Sequence, residues 1–542
     1  MNTKYIDIIF TMLVFSLPFN YIPCILWQNF LGGAFGNDLV IYPLFMGLIY
    51  TVYCQWKYKN VVYKWNLFKR FASIYFTVLI ISLAWGLWIY PYYNQVLAGP
   101  VTQIEKLPKV LSFLHGVGLP ITEKNLFILW MFVSPIKKIF LEVLYTFGSA
   151  YMIFCWYHNR IHKAIEILLK TTSIVLVIVA TYGLVDVCYQ NGQMWAQNVI
   201  TAILPFLHGN VSTEFDYYQF HTHLFWDAQN RSIFLEPSFF GIYMAFAFPL
   251  LWWNIYKQID LKKKIALYLL FICLAFEIFL TQSRTALAVI SGILMIFVLL
   301  SLYRMQKKII KLMAALCIGS VIAFAGSLCF MNYGQVPSQL GEWTPLATKW
   351  QIMKGQGNDS IEGETTAEKY IELNLKSLSN SDKTGVHAGS NHSRFTLQKT
   401  SLQIGLEHPL LGVGTSLQQG YLREKLDKDP GSEIQMWNKY IDKWGILYPA
   451  YANVGEFTLR FAETGFLGLG LYLLPAIFLL LNYGKILIKR KMNVEQTAPF
   501  IFSFLSFLGI MSTGLGGAIN TTFCYWIAMT ISFLTLEKVR KN

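Results

Sequence analysis

The chain has 542 residues, of which 55% are hydrophobic, 16% aromatic and only 14% charged. A soluble domain carries about a quarter charged residues, so an ordinary globular protein is excluded at the outset. A net charge of +14 would suggest nucleic acid in a soluble protein. Here the basic residues stand in short connections between apolar stretches, which points to membrane topology and leaves no nucleic-acid partner expected.

Twelve apolar stretches approach the roughly 20 residues that a spanning helix needs. In chain order they cover residues 6–26, 39–55, 71–90, 139–156, 173–189, 236–256, 265–281, 284–302, 309–331, 461–481, 498–515 and 518–536. Residues 1–27 have the outline of a signal peptide, but Asp7 interrupts them, no small-residue cleavage site follows, and further spans do. They are therefore expected to be the first helix. Residues 126–133 are too short to cross and are expected in the interface. The eight cysteines fall mostly in or beside spans and form no CxxC pair, so neither a zinc site nor a disulfide framework is indicated.

Alternate connections are strongly basic: Lys57, Lys69 and Arg70 follow the second span, Arg160, Lys163 and Lys170 the fourth, and Lys262, Lys263 and Lys264 the sixth. Lys307, Lys308 and Lys311 follow the eighth, Lys485, Lys489 and Arg490 the tenth, and Lys538, Arg540 and Lys541 end the chain. Lys and Arg mark the cytoplasmic side, so a multi-pass protein of the cytoplasmic membrane with both termini inside is expected. Three longer segments, 91–138, 191–235 and 332–451, then lie outside. The chain divides into a membrane bundle over 1–331 (spans one to nine), a large extracytoplasmic loop over 332–451, and a second part of the bundle over 452–542 (spans ten to twelve).

The large loop holds 12 Lys or Arg against 13 Asp or Glu, and includes Trp343, Trp350, Trp437 and Trp444. A loop of this length is either functional or disordered, and its aromatic content favours function. Residues 355–389 are polar and are expected to be its most mobile part. Residues 396–406 have helical spacing of apolar positions and are expected on the membrane surface.

Charges at the outer ends of spans are the informative ones. Arg231, Glu236, Pro237 and Ser238 lead into the sixth span. Pro237 suits the first helical turn and Glu236 suits a helix N-terminus, so a purely structural cap and a functional carboxylate both remain open. Gln282, Ser283, Arg284 and Thr285 form a tight outer turn, and Arg284 either faces the bundle or snorkels outward. Glu277 lies within the seventh span, where it either pairs with Arg284 or faces a cavity. His392, Ser393, Arg394 and Gln398 precede His408 and the glycines Gly412 and Gly414. Glu456, Arg460 and Glu463 lead into the tenth span, and a salt-bridged entry helix accounts for them structurally.

Taken in order, R-x4-EPS (231–238), SRTA (283–286), SR-x10-G (Ser393, Arg394, Gly405), HPLLGVG (408–414) and AETGFLGL (462–469) resemble the bacterial O-antigen polymerase and ligase superfamily, of Wzy and WaaL types. The resemblance covers about residues 231–469. It implies an all-α polytopic membrane protein of about twelve transmembrane helices, a GT-C-like bundle with a large, partly helical outer loop. It also implies a glycosyltransferase that uses sugars carried on undecaprenyl diphosphate at the outer face of the cytoplasmic membrane. Ligases of the superfamily carry a histidine shortly before the ETG helix. Here residues 452–456 read Ala-Asn-Val-Gly-Glu, which favours a polymerase of O-antigen, capsular or exopolysaccharide repeat units.

On that resemblance Arg231, Arg284 and Arg394 are assigned to the diphosphate, whose oxygens suit bidentate guanidinium bonds. No metal or other cofactor is expected, and no HxxxH ligand set stands on the outer side. An acceptor hydroxyl needs a base within hydrogen-bond reach; Glu236, Glu456 and His392 are the candidates, in that order. Tyr421 and Trp437 are assigned to stacking on sugar rings, with His408 beside them. Expected partners are the lipid-linked oligosaccharide donor and acceptor, membrane lipids, and, by family analogy, a chain-length regulator and a flippase. The alternatives are a ligase using the same donor and a lipid-linked sugar transporter. Transporters commonly show inverted repeats, and this sequence contains none.

Overall fold

Uninterrupted runs of Leu, Ile, Val and Phe have one stable form in a solvent that cannot satisfy backbone polar groups, which is the helix. A computed structural model describes residues 3–19, 39–58, 65–104, 107–191, 193–207, 229–234, 236–333, 335–337, 343–345, 386–426, 432–489, 494–517 and 523–541. The chain forms α1 (Thr3–Ser16), α2 (Ile41–Lys57), α3 (Asn66–Ile89), α4 (Tyr93–Ala98), α5 (Leu107–Gly116), α6 (Glu123–Tyr157), α7 (Ile161–Gln190) and α8 (Met194–Leu207). It continues with α9 (Pro237–Lys257), α10 (Leu261–Thr281), α11 (Arg284–Arg304) and α12 (Lys307–Tyr333). After an antiparallel hairpin, β1 (Gln335–Pro337) and β2 (Trp343–Pro345), come α13 (Val386–Glu407), α14 (Gln418–Leu426), α15 (Ser432–Trp444), α16 (Glu456–Lys489), α17 (Val494–Thr513) and α18 (Phe523–Lys541).

Eight described helices are long and apolar enough to cross a membrane: α3, α7, α9, α10, α11, α12, α16 and α17. The other four expected spans lie on α1, α2, α6 and α18. As described, α1 has 14 residues and α2 has 17, while α18 carries Glu537, Lys538, Arg540 and Lys541 near its end. Apart from that two-stranded hairpin, the regular structure of the described residues is helical, and the protein is a polytopic membrane protein.

The core centres on α9. Of its apolar window 78% is buried, against 22% for α11 and 28% for α3 and α12. This helix packs on α17, α11, α10 and α7, with Phe240, Phe246 and Trp252 inside. A Cβ on Gly509 of α17 would collide with the Ala245 carbonyl, and Ser506 Oγ donates to the Phe246 carbonyl at 2.8 Å. The EPS segment therefore opens the most enclosed helix of the bundle.

Two segments depart from the sequence expectation. Residues 126–133 are not a separate interfacial piece but the first turns of α6, which runs unbroken for 35 residues. That is about 52 Å, well beyond the roughly 30 Å hydrocarbon layer. Thr122 caps the helix by accepting the Asn125 N–H at 3.3 Å, and Leu126, Phe127 and Met131 are buried against the bundle, so the helix starts earlier than Lys137 and Lys138 suggest. Residues 396–406 do form a helix, but α13 docks on α16. Leu397 and Ile404 are buried, and Gly405 allows α13 to close on the Phe461 ring. Of the polar stretch 355–389, residues 355–385 lie outside the described residues, as does Trp350.

Candidate active site

Three helix starts gather at one end of the bundle. Glu236 is the N-cap of α9 with Pro237 as its first residue, and the Glu236 carbonyl accepts the Phe239 and Phe240 N–H groups at 3.1 and 3.3 Å. Its carboxylate is half-buried and accepts Ser238 Oγ–H at 3.0 Å. Gln282 adopts a left-handed backbone (φ 54°), so α10 turns directly into α11. Ser283 Oγ caps α11 by accepting the Ala286 N–H at 3.4 Å, and half-buried Arg284 is its first residue. The two starts touch, since a Cβ on Gly241 would collide with that of Ala286. The contact joins the fifth residue of α9 to the third of α11, so both positive helix ends point the same way, an arrangement suited to an anion.

The turn at 514–517 ties in the third start. The Gly514 carbonyl accepts the Glu456 N–H at 2.9 Å, at the beginning of α16. Thr285 lies 3.3 Å from where a Cβ on Gly516 would stand. From α13, Gln398 Nε2 donates to the Val454 and Leu515 carbonyls at 2.7 and 2.9 Å. Arg394 sits one turn earlier on α13 and is exposed, beside buried Ser393 and half-buried His392. The polar loop thus brings its arginine toward the same end of the bundle as Arg284.

Arg231 is held differently. It is 2% exposed, on an irregular turn before α9. Asn230 N–H donates to the Leu280 carbonyl at 3.0 Å, and Asn230 Nδ2 to that of Gly183 at 3.0 Å. Ser232 Oγ donates to the Val179 carbonyl at 2.6 Å. The Arg231 N–H reaches Asp186 Oδ2 at 3.4 Å. The turn is thereby fastened to α7 and α10, and Ser232 takes a left-handed φ of 50° to make it. Burial pulls the guanidinium pKa below its ordinary value, while the Asp186 and Tyr182 oxygens act the other way.

Glu456 lies in a different environment from Glu236. It is 1% exposed and accepts Arg460 Nε–H at 2.7 Å. Arg460 Nη1 also meets Glu142 Oε1 of α6 at 2.7 Å and donates to Tyr75 OH of α3 at 3.2 Å, and the Tyr472 ring lies 5.1 Å from its guanidinium carbon. Arg460 and Tyr472 are twelve residues apart, about 18 Å along a straight helix. Their approach follows from Gly465, whose torsions (φ 63°, ψ −165°) break α16.

HPLLGVG fills that break. The Val413 and Gly414 N–H groups donate to the Ala462 and Glu463 carbonyls at 2.9 and 2.8 Å, and the Phe466 N–H donates to the Pro409 carbonyl at 2.7 Å. Ser82 Oγ lies 2.6 Å from the Leu411 carbonyl and 2.9 Å from that of Glu463. Glu463 Oε1 accepts the Ser416 N–H at 2.7 Å. The two motifs are one backbone-paired unit.

Glu277 is 0% exposed, accepts the Cys273 thiol at 3.5 Å and is packed against Gly183. Tyr421 is 6% exposed; the Tyr92 ring meets it edge-on at 5.1 Å and His408 at 5.6 Å. Trp437 is half-buried and perpendicular to Tyr451 at 6.1 Å. The His408 carbonyl accepts the Gly412 N–H at 2.9 Å, and burial lowers the pKa of its imidazole.

Sequence reasoning did not single out Glu142, Tyr75 or Asp186. Glu142 and Asp186 each lie inside an expected span, and an ionisable residue at that depth is itself a signal of function or of a buried partner.

The chain matches no curated protein. Residues 269–473 match the family model described as O-antigen ligase, Wzy_C. The matched stretch includes SRTA, Arg394, HPLLGVG and AETG, while the Arg231–Ser238 segment precedes it. Members of the family are enzymes acting on lipid-linked glycans, and the match agrees with the ordered motifs: over this stretch, less than half of the chain, the protein is similar to the O-antigen polymerase and ligase superfamily.

Proposed function

We propose that the protein is a polysaccharide polymerase that joins oligosaccharide repeat units carried on undecaprenyl diphosphate, at the outer face of the bacterial cytoplasmic membrane. In this proposal the bundle is of GT-C type, both termini are cytoplasmic and the 332–451 loop is outside. A flippase supplies the units and a chain-length regulator acts on the product. The observation that carries it is the contact between the starts of α9 and α11, which brings together the helix N-termini that begin at Glu236 and Arg284. Transfer breaks the bond between sugar and diphosphate, and negative charge gathers on the leaving group. Arg284, Arg231 and Arg394 are the cations assigned to it, without a metal. The acceptor hydroxyl forms the new glycosidic bond and gives its proton to a base. Glu236 suits that role better than Glu456, which is enclosed and ion-paired with Arg460; His392 is the third candidate. Trp437, Tyr421 and His408 remain assigned to the sugar side, with half-buried Trp437 the most accessible aromatic face.

The absence of histidine over 452–456 supports polymerase over ligase. The ligase reading, with the same donor and a different acceptor, is favoured by the description of the matched family. Deleting the gene in its host and sizing the surface polysaccharide on a gel separates the two. Single repeat units in place of long chains are expected. Undiminished long chains accumulating on the lipid carrier would establish the ligase instead.

A further inference from the structure

We infer that Asp186 is a positioning residue for Arg231, fixing the turn that presents this arginine to the diphosphate; the inference rests on the donor-binding role proposed for Arg231. Asp186 lies in the last turns of α7 and is 1% exposed. A carboxyl group at that depth is expensive unless it has a cationic or hydrogen-bonding partner. Its Oδ2 accepts the Arg231 N–H at 3.4 Å, and its charge acts on the Arg231 guanidinium. It therefore addresses both ends of the same residue.

The surrounding bonds show what is being fixed. Val179, Gly183 and Asp186 lie about one turn apart along α7, and they receive Ser232 Oγ, Asn230 Nδ2 and the Arg231 N–H in that order. Each of the three residues 230–232 is thus tied to one helix, and Asn230 is tied to α10 as well. A left-handed serine is accepted to achieve this. None of the α7 residues belongs to the EPS, SRTA or ETG motifs. Gly183 cannot be enlarged without meeting the Glu277 carboxylate, so the α7 face carrying the clamp is closely packed from behind.

The test uses the purified full-length protein with lipid-linked repeat units extracted from the deletion strain. Asp186→Asn keeps size and hydrogen-bonding capacity but removes the charge. It is expected to raise KM for the lipid-linked units by about tenfold, roughly 1.4 kcal/mol, with a smaller change in kcat, measured per folded protein because removing one partner of a buried charge pair also lowers the melting temperature. Asn230→Ala, which breaks the clamp without touching the charge, is expected to raise KM in the same direction by less. It decides the matter if the Asp186 variant does not accumulate. Wild-type KM in both variants, or activity that falls only as folded protein is lost, overturns the inference. Arg231→Ala separates the two levels. If it polymerises normally, the role of Arg231 fails; if it is inactive while Asp186→Asn has wild-type KM, only the role of Asp186 fails.

Discussion

Two buried arginines stand in different local settings. Arg460 lies inside a helix and is gripped by its guanidinium, between the carboxylates of Glu456 and Glu142, the Tyr75 hydroxyl and the Tyr472 ring. Arg231 lies outside any helix, on a turn whose residues 230–232 are fastened to α7 and α10. Two carboxylates on one guanidinium leave little capacity for a further anion, so Arg460 serves as a strut across α3, α6 and the broken α16. The bonds made by residues 230–232 fix where the Arg231 side chain begins, which suits the diphosphate-binding role proposed for it.

The largest effect should come from the strut. Arg460→Ala leaves two carboxylates buried without their cation, a loss of about 3–5 kcal/mol, and should be seen as loss of folded protein from the membrane and a sharply lowered melting temperature in detergent. Replacing Arg460, Glu142 and Glu456 together by apolar residues should recover much of that loss, which would sharpen the view of the network as structural. Next comes the backbone-paired break. Gly412 has φ 67° and Gly465 φ 63°, and a Cβ on either would run into facing backbone. Alanine at either position should cost at least about 1–2 kcal/mol from the left-handed torsion alone and lower polymer yield together with protein level. Smaller still is Thr122→Ala at the start of α6, expected to cost about 1 kcal/mol and to fray the turns around Asn125 without abolishing polymer. Arg423→Ala, which breaks an ion pair with a largely exposed Asp442, should change stability by less than about 1 kcal/mol.

Much of the bundle was legible because its signals are local. Apolar length marked the spans, Pro237 marked the start of α9, and Ser283 marked the start of α11. What was not legible depends on partners distant in sequence. Tyr75 and Arg460 are 385 residues apart, and no spacing in the chain announces that α3 and α16 meet there. The fusion of HPLLGVG with the break at Gly465 is likewise a tertiary event, although the glycines in both motifs hinted at unusual torsions. Residues 126–133 looked too short because Lys137 and Lys138 interrupt the apolar run, yet a helix longer than the hydrocarbon layer can carry charges beyond it. Tyr421 was singled out by residue type; that its ring is packed edge-on by Tyr92 and His408 is a burial that composition cannot reveal.

The central claim is that the joined starts of α9 and α11, with the clamped Arg231, form the anion site of a glycan transferase. It is tested most directly by complementing the deletion strain with Arg231→Ala and Arg284→Ala, then measuring membrane protein level and polysaccharide length side by side. The account predicts protein at wild-type level with single repeat units and no long chains in both variants. Long-chain polymer of normal length from either variant at that protein level would contradict it.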